Sequence, residues 1–439
     1  MILILDIGKT NKKCFVFDED YRIVFEKSTQ LAEINDEDGE PCEDLKLLKN
    51  WVLTSVNEVL HDTRFQIRAI NVTTYGASFV HLNSEGHSLT PLYNYLKPFP
   101  EELRKHFFDT YGPETKIALE TASPVLGNLN SGLQLYWLKN HKPLVFKAIN
   151  CSLHLPQYVA FVVQSVSRMF APRSLRGEHT RHGLNSEITS IGCHTMLWDF
   201  RKNEYHDWVK AEGFVEKFPP IKPSNAVVPI PKSPNLQITI GTGLHDSSAA
   251  LIPYLACFDE PFVLISTGTW CISLNPFNHE PLTPEELAQD CLCYLSYEGK
   301  PVKAARYFGG HEHEQTVKKL VEEFGVAVEN RLRNVQGFAN ANDPEIIKYH
   351  TFMRQLLEKQ VVSTKLAIGN TPIRRIFVDG GFSKNETYMH LLAEAFPELE
   401  VYAAEVSQST ALGAAMAIHN YWNEKPLSKD LISLKNICV

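Results

Sequence analysis

Two short stretches of the chain carry residue types able to hold phosphate. One is Gly8-Lys9-Thr10-Asn11-Lys12-Lys13, set between ILILD and the apolar alternation CFVFD. The other is Thr267-Gly268-Thr269, set between FVLIS and WCISLN. Both read as strand, polar turn, strand: a β-hairpin with hydroxyls and backbone amides at its tip. At the first tip, backbone N–H groups and the Thr10 hydroxyl would face phosphate oxygens, with Lys12 or Lys13 as charge. Asp6, closing the preceding strand, could hold magnesium through water, since magnesium needs few carboxylates and keeps several waters. One such hairpin alone is ordinarily a solvated turn. Two of them imply a weak internal duplication, one hairpin per domain, and a clamp on the β- and γ-phosphates of a nucleotide. A P-loop is excluded, because Leu3 stands where GxxxxGK[ST] needs its first glycine and a strand, not a helix, follows.

Further along, Phe377-Val378-Asp379-Gly380-Gly381-Phe382-Ser383-Lys384-Asn385 reads as strand, Gly-Gly turn and helix start, which lets backbone approach a ligand closely. Thr410-Ala411-Leu412-Gly413-Ala414-Ala415 opens another helix with small residues, against which a flat adenine could lie.

The elements that must position these residues are legible from periodicity. Leu45, Leu48, Val52, Val56 and Val59 give one apolar face to a helix starting near Glu43. Asp343 before Pro344 predicts a helix start, and Gly369 its stop. Ser383 with Glu386 suggests a capping box, followed by Tyr388, Leu391, Leu392 and Ala395 on one face. Strands and helices alternate throughout, so both halves are expected to be α/β. Six prolines between 219 and 234 exclude an interior helix or central strand there. The expected domains are residues 1–236 and 237–439, divided just after that stretch.

Composition excludes other classes. The 439 residues are 44% hydrophobic and 21% charged, and 43 Lys and Arg against 51 Asp and Glu leave a net charge of −8. That length suits two or three domains, and no basic surplus is available for nucleic acid or an anionic membrane. Nine cysteines without a CxxC pair read as reduced thiols. MILILD lacks a signal peptide's cationic region, and no run reaches the ~18 apolar residues of a span, so a cytoplasmic location is expected. Cys291, Cys293, His311 and His313 have CxC and HxH spacings unlike zinc sites, which favours buried thiols and solvated histidines. HExxH fails at Gln315, and GxSxG fails at Val80 after Gly76 and Ser78, leaving no support for a hydrolase.

The order and spacing of these elements resemble the FGGY carbohydrate kinases of the actin, hexokinase and sugar-kinase superfamily. Gly132 to His141 resembles that family's Trp-Leu-Lys helix, with Gln134 where lysine is usual, and Ile188 to Trp208, with Asp199 and Trp208, resembles the region closing its first domain. Gly243-Leu244-His245-Asp246-Ser247-Ser248-Ala249-Ala250, followed by Ser266-Thr267-Gly268-Thr269-Trp270, resembles the paired motifs of the rhamnulokinase and fuculokinase members. The resemblance implies an α/β chain of two ribonuclease-H-like (actin-like ATPase) domains with an interdomain cleft closing over a sugar and ATP with Mg2+.

It also implies roles. Asp246 would accept the proton of the attacking sugar hydroxyl, the one carboxylate that phosphoryl transfer needs besides positioning and charge; as a helix cap it would have a blander use, and the two are compatible. Asp6 and Asp246 would hold Mg2+ through water. Lys9, Thr10, Asn11, Lys12, Lys13, Thr267, Gly268, Thr269, Gly380, Gly381 and Asn385 would bind ATP. Tyr75, Gly76, Ala77, Ser78, His245, Asp246 and Ser247 would meet the sugar, a ketose of L-rhamnulose or L-fuculose type before D-xylulose. Three departures bear on the sugar: Tyr297 replaces an asparagine, Arg306 to His311 differs from the usual sequence, and Gln408 replaces a frequent glutamate. A polyol kinase, a non-catalytic ATP-binding sensor and an actin-like filament protein are the competing readings. Oligomeric state stays open, a homodimer being one candidate.

Overall fold

Alternating apolar residues at the start of the chain pair as the pattern predicts. Strands β1 (Ile2–Ile7) and β2 (Lys12–Phe17) form an antiparallel hairpin with Ile7 opposite Lys12. β3 (Ile23–Thr29) extends it antiparallel, with a bulge near Phe17. Helix α1 (Leu45–His61) buries Leu48, Val52, Val56 and Val59 against Leu3, Leu5 and Val72 of the sheet. Its cap is Asp44, one residue beyond the expected start, whose carboxylate accepts the N–H groups of Lys46 and Leu47. The computed structural model describes residues 1–170, 184–233, 236–325, 343–406 and 408–437.

The chain then lays β4 (Ala69–Thr74) parallel to β1, and later forms α2 (Ser131–His141), the Trp-Leu-Lys segment, and α3 (Leu155–Phe170). The proline-rich stretch becomes β5 (Val227–Ser233), an edge strand, where missing N–H groups cost the least. β6 (Leu236–Gly241) and β7 (Leu244–His245) both run parallel to β4, and α4 (Asp246–Cys257) follows directly. The sheet order is β5-β6-β4-β1-β2-β3, with β7 also on β4.

Two compact units result: Met1–Ala256 with Tyr294–Lys300 and Gln408–Ser428, and Cys257–Cys293 with Pro301–Ser407 and Lys429–Val439. Residues 237–256, expected to open the second domain, therefore lie in the first unit. The reason is long-range pairing: β6 and β7 add to β4, and Gly241 sits so close to Asn71 that a β-carbon would be 2.2 Å from its Oδ1.

The second unit repeats the arrangement. β8 (Phe262–Thr267) and β9 (Cys271–Asn275) make the second hairpin, and the sheet runs β10 (Cys291–Leu295), β11 (Pro301–Tyr307), β9, β8, β12 (Arg375–Gly380), β13 (Glu400–Glu405), β14 (Ser433–Asn436). β12 is parallel to β8 as β4 is to β1, so both halves share three antiparallel strands followed by a parallel one. The helices are α5 (Gly309–Phe324), α6 (Pro344–Ile368) and α7 (Glu386–Ala395). α6 has the bounds predicted from Asp343, Pro344 and Gly369. The expected capping box at Ser383 does not form. A 3-10 turn over Gly381–Lys384 comes first, so Asn385 caps α7 by accepting the Tyr388 N–H, while Ser383 Oγ donates to Gly380 O.

Candidate active site

In the first unit, the parallel strands β4 and β7 end side by side, Thr74 level with His245. The loop Tyr75–Ser78 leaves β4 there, with Ala77 in the left-handed region at φ 64°, uncommon for a residue with a side chain. Gly76 faces the His245 imidazole, and Ser78 is buried. Asp246 is the first residue of α4, where the helix dipole favours a carboxylate, and Ser247 donates both its N–H (2.6 Å) and its hydroxyl (3.2 Å) to Oδ1. His245 Nε2 lies 3.3 Å from the same oxygen.

Burial sets the charge states. It lifts Asp246 to about 6, the Ser247 bonds pulling the other way, and lowers His245 to about 4, so the imidazole is neutral at neutral pH. The Asp246 side chain keeps 29% of its surface exposed and is reachable.

The first hairpin holds Asp6 in place. Its carboxyl rises to about 6 through burial, against a Thr410 Oγ1 hydrogen bond of 2.8 Å, and the negative charge of Asp246 adds to the rise. Two carboxyls, one raising the other's proton affinity, form a set that a hydrated magnesium ion would fit, and Asp6 and Asp246 would be the residues to hold it.

At the tip, Thr10 and Asn11 are exposed, and Gly8 N–H donates to Asn11 O. The lysines divide. Lys9 pairs with Glu33 at 2.8 Å, and Lys13 Nζ donates to Gln408 Oε1 at 2.9 Å. Lys12, offered by the sequence as phosphate charge, is instead buried beneath the turn and ion-paired with Glu43 at 3.0 Å. Its charge is spent inside the fold. The small residues of the helix Ser409–Ala417 also pack inward: a β-carbon on Gly413 would lie 1.9 Å from Ala249 O, so this face is closed to adenine.

In the second unit, Thr267, Gly268, Gly381 and Asn385 line a cavity of about 900 Å³ with His313 and Tyr349. Thr267 ties the hairpin to the Gly-Gly turn, its hydroxyl donating to Asp379 O and accepting the Phe382 N–H. Gly380, at φ 90°, lies beneath, where a β-carbon would meet Thr267 O at 1.9 Å. Thr269 is exposed at the tip and accepts the His311 N–H through its carbonyl. Asn385 Nδ2 donates to Tyr349 Oη at 2.8 Å, and His313 Nε2 lies 3.1 Å from that hydroxyl.

Sequence reasoning missed the Thr410 bond to Asp6, the pairing of Glu43 with Lys12, Tyr349 and the setting of His313. Of these only Thr410, beside the Ala-Leu-Gly turn, carried a signal. Among the described residues, the one group of three or more side chains spaced closely enough to share a metal ion is Cys193, His194 and His245, not Cys291, Cys293, His311 and His313. Cys291 and Cys293 are buried strand thiols, as the sequence predicts, and His313 is part of the cavity wall rather than solvated.

This geometry has relatives. Residues 1–252 match the N-terminal domain of the FGGY family of carbohydrate kinases, 259–342 match the carbohydrate kinase FGGY C-terminal domain, and 349–418 match the C-terminal domain of the FGGY family. The chain belongs to the FGGY family. A rhamnulokinase from Halalkalibacterium halodurans is 23% identical over 286 residues, 62% of this chain and 55% of the relative. An L-fuculokinase from Salmonella typhi is 23% identical over 288 residues, with the same coverage. The chain thus matches about half the length of these curated relatives. A carbohydrate kinase from Novosphingobium aromaticivorans superposes with TM-score 0.76 at 23% identity, covering 99% of this chain and 96% of that one. The FGGY fold, two actin-like ATPase domains of ribonuclease-H type, is therefore that of this chain. No described helix is long and apolar enough to cross a membrane.

Proposed function

We propose that this FGGY chain is an ATP-dependent kinase that phosphorylates a hydroxyl of a ketose. The observation that carries the reading is Asp246, a reachable carboxylate at a helix start, beside the neutral His245 that packs on the Gly76 loop. The sugar hydroxyl oxygen would attack the γ-phosphorus of ATP, its proton passing to the Asp246 carboxylate as the bond to ADP breaks. Asp6 and Asp246 would hold Mg2+, which, when bound, neutralises phosphate charge. Lys13, Thr10 and the tip amides of the first hairpin would meet phosphate; Thr267, Gly268, Gly381 and Asn385 would take the nucleotide. Tyr75, Gly76, Ser78, His245 and Ser247 would orient the sugar.

L-Rhamnulose- and L-fuculose-type ketoses come first, supported by the His245-Asp246 and Ser266-Thr267-Gly268-Thr269-Trp270 motifs and by the relatives' names. The test is ADP release with MgATP across ketoses, aldoses and polyols, with Asp246→Asn as control. A rate on one ketose that collapses in the variant supports the reading, a rate confined to polyols moves the substrate class, and a rate unchanged by the variant removes Asp246 as base.

A further inference from the structure

Lys12 is the least expected residue of the first hairpin. It follows the tip on β2 yet is 1% exposed, nearly as deep as the apolar strand residues around it. A buried ammonium is costly unless its hydrogens are taken. Here two carbonyls take its hydrogens, Gly8 O at 3.0 Å and Lys9 O at 2.8 Å, and Glu43 Oε2, 3.0 Å away, balances its charge as an ion pair. Glu43 is itself buried, and its other oxygen, Oε1, accepts the Tyr75 hydroxyl at 2.8 Å. One side chain therefore reaches the carbonyls of the phosphate hairpin, and through one carboxylate the loop beside His245.

The carbonyl contacts fix the turn's polarity. In a trans peptide the C=O and N–H of one plane point in opposite directions. Gathering Gly8 O and Lys9 O inward around one ammonium turns the N–H groups of Lys9 and Thr10 to the opposite face. Successive backbone N–H groups aimed one way make an anion-binding concavity. Lys12 contributes to this without touching the anion, because its own charge is matched by Glu43 within the fold.

We infer that Lys12 is a positioning residue, which holds the hairpin tip as an anion receptor and, through Glu43 and Tyr75, ties that receptor to the sugar loop. The inference rests on the reading of the tip as a phosphate site. It predicts that phosphate affinity depends on a lysine no phosphate meets, and that Tyr75 serves the sugar side alone.

The test titrates MgATP and adenosine by calorimetry into the full chain as wild type, Lys12→Met, Glu43→Gln and Tyr75→Phe. Lys12→Met is expected to weaken MgATP by about tenfold or more and adenosine by less than about twofold. Glu43→Gln should act in the same direction more weakly, and Tyr75→Phe should leave MgATP binding alone while raising the KM of the accepted sugar more than it lowers kcat. Equal losses of MgATP and adenosine, or none, overturn the inference. If Lys12→Met does not fold by circular dichroism, Glu43→Gln decides by the same ratio. A wild type that binds MgATP but phosphorylates nothing removes the kinase reading and leaves this comparison intact; one that ignores MgATP overturns both.

Discussion

Gly76 lies so close to His245 that a β-carbon there would stand 2.9 Å from ring carbon Cδ2 and 3.0 Å from Nε2, with Cys193 Sγ 3.2 Å away on another side. The ring has little room to yield, for it is buried and its Nδ1 lies 3.4 Å from Ser248 Oγ. Gly76→Ala is therefore expected to push the imidazole, and with it the Asp246 contact, out of register. Misplacement of about 1 Å can cost roughly 10²-fold in rate. Sugar-dependent kcat/KM, measured by ADP release, should fall by about tenfold or more, while adenosine binding in calorimetry stays as in wild type.

Asp246→Asn separates chemistry from stability. Positioned general bases contribute about 10² to 10⁴ in rate, so sugar-dependent turnover should fall by that order. The amide oxygen can still accept from Ser247, and the variant no longer buries a charge. A shift to about 6 from the ordinary 3.8 corresponds to about 2 kcal/mol after allowance for the exposed part of the side chain. The inactive variant should therefore melt a few degrees higher than wild type at pH 7.5, measured by differential scanning calorimetry.

The same shift fixes two pH dependences. As the proposed base, Asp246 must be ionised, so activity should decline as pH falls through about 6, where Asp6 takes up its proton too. For stability the sign is opposite. Asp6 and Asp246 hold protons more tightly folded than unfolded, so between about 4 and 6 the folded state gains stability as pH falls and loses it as pH rises. The melting-temperature advantage of Asp246→Asn at pH 7.5 should accordingly vanish near pH 4. An advantage that persists there would show that the gain comes from something other than the charge.

Local signals in this sequence survive folding better than nonlocal ones. Asp343, Pro344 and Gly369 mark α6 correctly because capping and proline geometry act over a turn. The two hairpins and the α1 face are likewise local patterns. A cut after residue 236 follows the prolines faithfully, yet β6 and β7 return to β4, some 170 residues earlier by the register Thr239 to Ala69, and no local pattern encodes that pairing. Lys12 fails for a related reason: its burial depends on Glu43, which is brought in by a separate strand, Pro41–Glu43. The Ser383 cap was outcompeted by Asn385, which became available only once the Gly-Gly turn tightened into a 3-10 turn.

Asn385 combines two duties that substitution can part. Its Oδ1 caps α7 through the Tyr388 N–H at 3.0 Å, and its Nδ2 donates to Tyr349 in the cavity wall. Asn385→Asp keeps the cap and loses the donor, so melting temperature should stay near wild type while the Tyr349 hydroxyl loses a fixed partner and a negative charge enters the cavity. Nucleotide affinity should then fall by about tenfold, given that a like charge faces phosphate. Asn385→Ala loses both, costing about 1 kcal/mol of stability from the missing cap. Calorimetric titration with MgATP and thermal melts of the two variants check the split. If Asn385→Asp binds MgATP as tightly as wild type, Asn385 serves α7 alone.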